Sequence, residues 1–168
     1  MAIRIFGEIC IGGRVTESQL AEIADLLTKE GGILSDLEYD YEKITPADII
    51  KAVEIAVPYK LVYASNTHAP YGAFPELEKY LEDNNIAYDR LSEPYDSFDG
   101  MIVRYRPGIG KATIPTTATG DEVVPMSSVN KALELLINGK TEDGIKLLED
   151  YVVNYPELES FMMMIFDE

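Results

Sequence analysis

The chain has 168 residues, of which 46% are hydrophobic and 10% aromatic, so it has enough apolar material for a folded domain and lacks the composition of a disordered chain. Its 30 Asp and Glu residues against 14 Lys and Arg residues give a formal net charge of −16, which argues against direct nucleic-acid binding because cations supply the affinity for phosphates. One cysteine, Cys10, and one histidine, His68, exclude an internal disulfide and a Cys/His zinc site.

The amino-terminal segment predicts a strand followed by a helix. Isoleucines alternate with other residues over 3–11, which is the period of two of a strand with one buried face. Thr16 and Gln19 have the spacing of a capping box, and the helix should end at Gly31. The chain has no secretory signal pattern and no run of about 18 apolar residues. We therefore expect a cytoplasmic protein with no membrane partner.

Residues 35–43 form the sharpest local feature, because apolar and acidic side chains alternate along them. A strand here would have one apolar face and one wholly acidic face. Carboxylates two residues apart on a strand are about 6.6 Å apart, which makes a row of negative charges that resembles the charge pattern of a nucleic-acid backbone. The simpler alternative is a solvated outer strand whose charge prevents edge-to-edge aggregation. The row consists of Asp36, Glu38, Asp40 and Glu42, with Tyr39 and Tyr41 between them.

The middle of the chain predicts further alternating helices and strands. Thr45 and Pro46 mark the start of a second helix that Pro58 ends, and Pro75 opens a third. Residues 65–72 are rich in turn-forming residues, which predicts a loop. The remaining strands are expected at residues 60–64, 86–91, 101–106 and 111–114, the last two as a hairpin.

The carboxyl-terminal segment predicts helices, with Ser127 and Thr141 as N-caps, Gly139 between two helices and a last helical turn at Pro156. It resembles a single tetratricopeptide hairpin, although Gly144 stands where that pattern prefers alanine. One copy cannot form a solenoid. We therefore interpret the segment as an ordinary helical hairpin packed on the sheet.

These elements predict an α+β fold with a mixed or antiparallel sheet of four to six strands and helices on one face. The boundary falls in the run rich in Pro, Gly and Thr that ends at Pro125. We expect an α+β domain over residues 1–124 and a helical C-terminal subdomain over residues 125–168, packed together as one folding unit.

The charge and the acidic row predict a non-enzymatic protein that binds a basic protein surface, such as that of a nuclease or a nucleic-acid-binding complex. Asp36, Glu38, Asp40 and Glu42 would make the charged contacts, supported by Tyr39 or Tyr41. A general role of the charge in solubility is the simpler interpretation. A homodimer also stays open, because Met162 to Met164 could form an adaptable apolar contact.

Two other function classes remain as alternatives. The first is a small hydrolase or transferase that uses the region of His68, Arg104 and Arg106, although no nucleophile motif surrounds the histidine. The second is an adaptor that binds through the C-terminal helices. A calcium loop at Asp36 fails because Tyr41 occupies the required glycine position, so we expect no metal and no cofactor.

Residues 69–78, 86–90 and 104–108 are similar to a loosely defined group of small acidic proteins of bacteria, phages and plasmids, a group to which no activity is assigned. The resemblance covers about the middle third of the chain and transfers no functional residue. It implies a bacterial or mobile-element context. In that context, acidic inhibitors of host defence nucleases, of anti-CRISPR or antirestriction type, are a plausible class by analogy.

Overall fold

The computed structural model describes residues 3–35, 43–96, 99–117, 119–152 and 155–164. Its α+β fold, an antiparallel sheet of six strands with five helices, confirms the predicted class. The helices are α1 (Glu17–Lys29), α2 (Pro46–Ile55), α3 (Pro75–Asp83), α4 (Met126–Ile137) and α5 (Thr141–Val152). The strands are β1 (Arg4–Ile11), β2 (Arg14–Val15), β3 (Ile33–Leu34), β4 (Val62–Pro70), β5 (Tyr88–Ser92), β6 (Gly100–Arg106), β7 (Gly110–Thr116) and β8 (Met162–Met163).

The large sheet has the strand order β3-β4-β1-β5-β6-β7, and every neighbouring pair is antiparallel. Strand β1 is central: its Ile9 lies opposite Ala64 of β4 on one side and Arg90 of β5 on the other. Strand β3 forms one edge of the sheet and β7 the other. A separate two-stranded sheet pairs β2 with β8 in parallel.

The main core lies between one face of the sheet and the first three helices. Alternate residues of β1, including Ile9 and Ile11, are fully buried in one cluster with residues of α1, α2 and α3. From α1 the cluster takes Leu20 and Leu27, which repeat at helical spacing. This arrangement follows directly from the predicted periods of two and 3.6 residues.

The predicted helix starts of α1 and α2 are confirmed. The Thr16 side chain accepts a hydrogen bond from the Gln19 amide at 3.2 Å, and the Gln19 side chain accepts one from the Thr16 amide at 2.9 Å. Thr45 and Asp48 form the same reciprocal arrangement at the start of α2. Each capping box satisfies amide groups that the helix itself leaves without partners.

Three sequence-based predictions of local structure were wrong. Residues 65–72 were expected to be a loop, but β4 extends to Pro70 because β1 supplies hydrogen-bonding partners along its length. Neither predicted N-cap of the C-terminal helices is right, because α4 already begins at Met126, before Ser127, and Thr141 is itself the first residue of α5. No helical turn begins at Pro156, since residues 155–161 are extended or irregular and lead into β8.

Strand β4 contains a bulge, because two of its residues, Thr67 and His68, lie opposite the single residue Phe6 of β1. Just past the bulge, the chain passes very close to β1. A Cβ atom added at Gly7 would lie 2.3 Å from the carbonyl oxygen of Gly72. Only glycine permits this approach of the two backbones.

The last described segment, residues 155–164, forms backbone hydrogen bonds with several other parts of the molecule. The Gly13 amide donates to the Glu159 carbonyl at 3.0 Å, and the Phe161 amide donates to the Lys60 carbonyl at 2.8 Å. The Phe161 side chain is buried and belongs to the main core cluster. The chain therefore returns from α5 to the sheet and completes its core.

Candidate protein-binding edge

The predicted site residues Asp36, Glu38, Tyr39, Asp40, Tyr41 and Glu42 lie outside the residues that the structure describes. Of the residues that flank them, Ser35 is held beside the β3 edge of the sheet, and Lys43 and Ile44 are held against helix α1. The Ser35 amide donates to the Tyr63 carbonyl at 2.9 Å, and the Ile44 amide donates to Thr28 Oγ1 at 2.9 Å. Lys43 pairs with Asp25 of α1 at 3.4 Å. Both ends of the acidic segment are therefore anchored to the folded body.

An exposed apolar surface lies beside the first of these anchors. Ser35 and Tyr63 line a shallow depression of about 280 Å³ together with the residues that connect α2 to β4. In that connection Val57 is 76% exposed and Tyr59 is 63% exposed. The Tyr59 carbonyl accepts a hydrogen bond from Ser160 Oγ at 3.3 Å, which ties this connection to the C-terminal segment.

Large exposed side chains on a backbone that is held by hydrogen bonds are typical anchors of protein interfaces. Tyrosine is enriched among the interface residues that contribute most of the binding energy. Val57 and Tyr59 are not among the site residues predicted from the sequence. From the sequence, Val57 is the last apolar residue of the second helix before Pro58 ends it, and Tyr59 has no predicted role. Their exposure depends on the tertiary placement of α2 and β4, which local patterns do not reveal.

The carboxylates of α3 do not extend the acidic row as unpaired charges. Lys29 pairs with Glu76, and Lys79 pairs with Asp83. Glu82 accepts from Lys111 Nζ at 2.7 Å. Since each of these acids has a cationic partner, α3 presents a largely neutralised surface.

The fourth carboxylate of α3, Glu78, is buried beside Arg90 of β5. Arg90 Nε lies 3.2 Å from Glu78 Oε1, and both side chains are less than 10% exposed. The Nε–H group has no hydrogen-bond partner among the described residues, so this contact is a charge pair without a directed hydrogen bond. Glu78 Oε1 also accepts from the Phe74 amide at 3.0 Å. Glu78 therefore stabilises the start of α3 and compensates a buried cation.

A second carboxylate caps the same helix from outside. Glu30, at the end of α1, accepts from the amides of Glu76 at 3.0 Å and Leu77 at 3.1 Å. Burial raises the pKa of Glu30, and these two amide hydrogen bonds oppose that rise. The N-cap residue of α3, Phe74, has no side chain that could do this. This role was not predicted from the sequence, because the helix and its cap are far apart in the chain.

Tyr88 links the two carboxylates of α3 at the buried side of the sheet. Its hydroxyl donates to Glu82 Oε1 at 2.6 Å, and Glu78 Oε2 lies 3.3 Å from the same oxygen. Burial, followed by the Glu82 hydrogen bond, raises the pKa of Tyr88 far above its usual range. Burial alone would raise the pKa of Glu82, but its hydrogen bonds with Lys111 and Tyr88 outweigh burial and lower it. This network keeps Glu82 ionised and Tyr88 protonated.

The alternative enzymatic region is not assembled in the fold. His68 lies in the β4 bulge near the start of β1, whereas Arg106 ends β6 beside Tyr88, which lies opposite the end of β1. Two strands, β1 and β5, separate the strands that carry them, a distance of roughly 14 Å across the sheet. The structure therefore does not bring His68 together with Arg104 and Arg106.

Both arginines are engaged in internal contacts. Arg104 pairs with Glu122. Arg106 is 5% exposed and donates from Nη1 to Asp89 Oδ1 at 2.7 Å and from Nε to the Pro156 carbonyl at 2.8 Å. Each of these guanidinium groups is thus paired with a carboxylate inside the fold, which is typical of a structural role.

Cys10 lies on the sheet face opposite the main core, next to Glu8 and across from Asp89. Burial, with added repulsion from these two carboxylates, raises its pKa to about 12. The thiol is therefore protonated near neutral pH and is a poor nucleophile.

The charge that remains available for binding is negative. Each ion pair among the described residues neutralises one acidic and one basic side chain. The excess of 16 negative charges therefore remains on acidic side chains outside these pairs. The described residues contain no group of three or more His, Cys, Asp or Glu side chains that could hold a metal ion. In the same described part, no helix is both long and apolar enough to cross a membrane.

Comparisons with known proteins give no guide to this site. No family model, no curated protein and no solved structure matches the chain.

Proposed function

We propose that this protein binds a basic surface of a nucleic-acid-binding protein and occupies it in place of nucleic acid. The carboxylates Asp36, Glu38, Asp40 and Glu42 would contact the cations of the partner. The observation that carries the proposal is that the described residues before and after this segment, Ser35 and Ile44, are hydrogen-bonded to the folded body, and that Ser35 lines a depression beside an exposed apolar surface. Val57 and Tyr59 would supply the apolar anchor of the interface.

Charge supports this proposal in two ways. A net charge of −16 accelerates encounter with a basic protein and repels nucleic acid. In addition, the main cations of the β5–β7 region, Arg90, Arg104, Arg106 and Lys111, are engaged by internal carboxylates. Their charges are therefore neutralised within the fold.

The finer proposal is that the partner is a nuclease of bacterial defence and that binding inhibits it. This step rests on the similarity of the middle of the chain to small acidic proteins of bacteria and their mobile elements, together with the charge. A nuclease groove lined with Lys and Arg is a surface on which a row of carboxylates can compete with phosphates.

The proposal is tested by neutralising the acidic segment without changing its size. The variant Asp36→Asn, Glu38→Gln, Asp40→Asn, Glu42→Gln would be immobilised beside the wild type and exposed to nucleic-acid-depleted bacterial lysate. Bound proteins would be quantified by mass spectrometry. We expect the amount of captured partner to fall at least about tenfold, because each neutralised carboxylate removes one electrostatic attraction to the cations of the partner.

A matched control changes net charge equally at other exposed positions: Glu93→Gln, Asp99→Asn, Glu157→Gln and Glu159→Gln. We expect this variant to retain most of the capture. Equal losses of captured partner in the two variants would mean that only the net charge of the protein drives binding. Unchanged capture by the first variant would show that the segment is not the site.

A further inference from the structure

A cavity of about 390 Å³ lies at the end of the large sheet where β1 ends and β5 begins. Four stretches that are distant in sequence line it. Residues 12–14 follow β1, residues 85–87 precede β5, the β6–β7 turn adds a third side, and the last described segment adds residues from 156 to 159. The volume is at the lower end of the range that small-molecule sites occupy.

Hydrogen bonds and close packing hold these stretches around the cavity. Arg106 Nε donates to the Pro156 carbonyl at 2.8 Å, which ties the end of β6 to the last segment. The Gly13 amide donates to the Glu159 carbonyl at 3.0 Å. A Cβ atom added at Gly12 would lie 2.4 Å from the same carbonyl oxygen, so the two backbones are in contact there. The fold itself therefore forms the cavity, as is usual for small-molecule sites.

Part of the lining is apolar. Ile86 is almost fully buried, whereas Ile109 of the β6–β7 turn is 51% exposed. A ligand that covers Ile109 removes apolar surface from water, which favours binding. The apolar side chains of the lining are Ile86, Ala87, Pro107, Ile109 and Pro156.

Three exposed charged side chains of both signs line the same cavity: Arg14, Glu157 and Glu159. Within the described part of the chain, none of the three forms an ion pair. The other charged residue of the lining, Arg106, differs from them because Asp89 neutralises it. One guanidinium and two carboxylates thus share a cavity without pairing, and they are available to a ligand.

The mixture of signs indicates the class of ligand. A simple anion would be attracted by Arg14 but repelled by the two glutamates and by the net charge of −16. A simple cation would meet the Arg14 guanidinium. A zwitterion satisfies both signs, because a guanidinium binds a carboxylate with paired hydrogen bonds and a carboxylate binds an ammonium group. The contact between Gly13 and Glu159 places the backbones of Arg14 and Glu159 close together in the lining.

We propose that this cavity binds a free apolar α-amino acid. Arg14 holds its carboxylate, Glu157 and Glu159 attract its ammonium group, and its side chain lies against the apolar part of the lining. The site is separate from the proposed protein-binding surface, because its lining shares no residue with the acidic segment or with the depression beside Ser35. The failure of one proposal therefore leaves the other standing.

The test is a nuclear magnetic resonance titration of the isotope-labelled full chain with L-leucine and with three probes that each lack one of its parts. N-acetyl-L-leucine lacks the ammonium group, L-leucinamide lacks the carboxylate, and glycine lacks the apolar side chain. L-leucine should bind with a dissociation constant of about 1 mM or lower. Each incomplete probe should bind at least about tenfold more weakly.

Two variants locate the charges. Arg14→Gln should weaken L-leucine binding at least about tenfold but leave L-leucinamide binding unchanged, because the amide has no carboxylate for Arg14 to hold. The double variant Glu157→Gln, Glu159→Gln should weaken binding of L-leucine but not of N-acetyl-L-leucine. Because all three side chains are exposed, both variants should keep the wild-type circular dichroism and unfolding midpoint.

The matched control is Lys51→Gln, which removes an exposed cation of α2 that does not line the cavity. It should leave the L-leucine dissociation constant unchanged. Three results would overturn the inference. They are no binding of L-leucine at about 10 mM, an incomplete probe that binds as tightly as L-leucine, or wild-type affinity in Arg14→Gln. In the second case, the probe would show that the cavity takes a plain anion, a plain cation or any small polar molecule instead.

Discussion

Helices α1 and α4 have similar lengths and both are amphipathic, yet only α1 has its apolar face covered by the fold. Helix α1 buries five residues, among them Leu20 and Leu27, against the sheet and its neighbouring helices. Helix α4 buries only Ala132. An amphipathic pattern therefore establishes that a helix has an apolar face, but not what will cover that face.

The first prediction concerns Glu78, the carboxylate of α3 that is buried beside Arg90. Replacing Glu78 with Ala would leave the Arg90 guanidinium buried without its counter-charge and remove an acceptor from the start of α3. We expect a loss of about 3–5 kcal/mol in the free energy of unfolding. Denaturant unfolding monitored by circular dichroism measures this loss. The control Asp83→Ala, which removes an exposed pair on the same helix, should cost much less.

The second prediction compares the two helices directly. Leu27→Ala in α1 removes a fully buried side chain and should lower the free energy of unfolding by about 2–5 kcal/mol. Leu133→Ala in α4, measured at a concentration where the chain is monomeric, should change it by no more than about 0.5 kcal/mol. Similar losses in the two variants would mean that α4 is covered within the single chain.

The third prediction concerns the close approach of the backbones at Gly7 of β1 and Gly72. Gly7→Ala would place a methyl group 2.3 Å from the Gly72 carbonyl oxygen, so one of the two strands must shift. We expect a cost of about 1–3 kcal/mol in unfolding free energy. The comparison variant Gly139→Ala lies in open space between α4 and α5, and its φ of +75° should cost about 1 kcal/mol. A Gly7 variant as stable as wild type would refute the close approach of β1 and Gly72.

The last prediction concerns pH, and its effect is negligible near neutral pH. The Cys10 thiol has an ordinary pKa of 9.0 and a folded pKa of about 12, raised mainly by burial. Between these values the unfolded chain has lost the thiol proton and the folded chain retains it. The unfolded state thus binds fewer protons, and stability falls as pH rises through this interval. Cys10→Ala should flatten part of that decline in unfolding midpoints measured at successive pH values.

A second readout of the same group is its reactivity. In the folded protein, Cys10 should react with iodoacetamide far more slowly at pH 8 than after unfolding, because little thiolate forms. Equal rates in the folded and unfolded protein would contradict the burial of Cys10.

The sequence was informative wherever local chemistry decides the structure. Capping at Thr16 and Thr45, the start of α3 at Pro75 and the alternation along β1 were all predictable from nearest neighbours in the chain. The end of β4 was not, because residues 65–70 have turn-forming composition and become a strand only through pairing with β1. Tertiary hydrogen bonds outweighed local propensity there.

The acidic segment of the candidate site stays a prediction from its alternation, because its residues lie outside those that the structure describes. The exposure of Val57 and Tyr59 beside Ser35 was not predictable, because it depends on how α2 and β4 are placed. The composition also could not show that Glu78 forms an ion pair with the buried Arg90. Similar acidic residues thus serve different purposes, depending on whether a cation reaches them in the fold.

The most direct test of the proposed function is competitive capture. The immobilised wild-type protein would be exposed to lysate of a bacterial host at low and high salt, with DNA or RNA added as competitor, and bound proteins would be identified by mass spectrometry. The proposal predicts recovery of a basic nucleic-acid-binding protein that is released at high salt and displaced by nucleic acid. Capture of no salt-sensitive protein, or of a partner that nucleic acid does not displace, would contradict it.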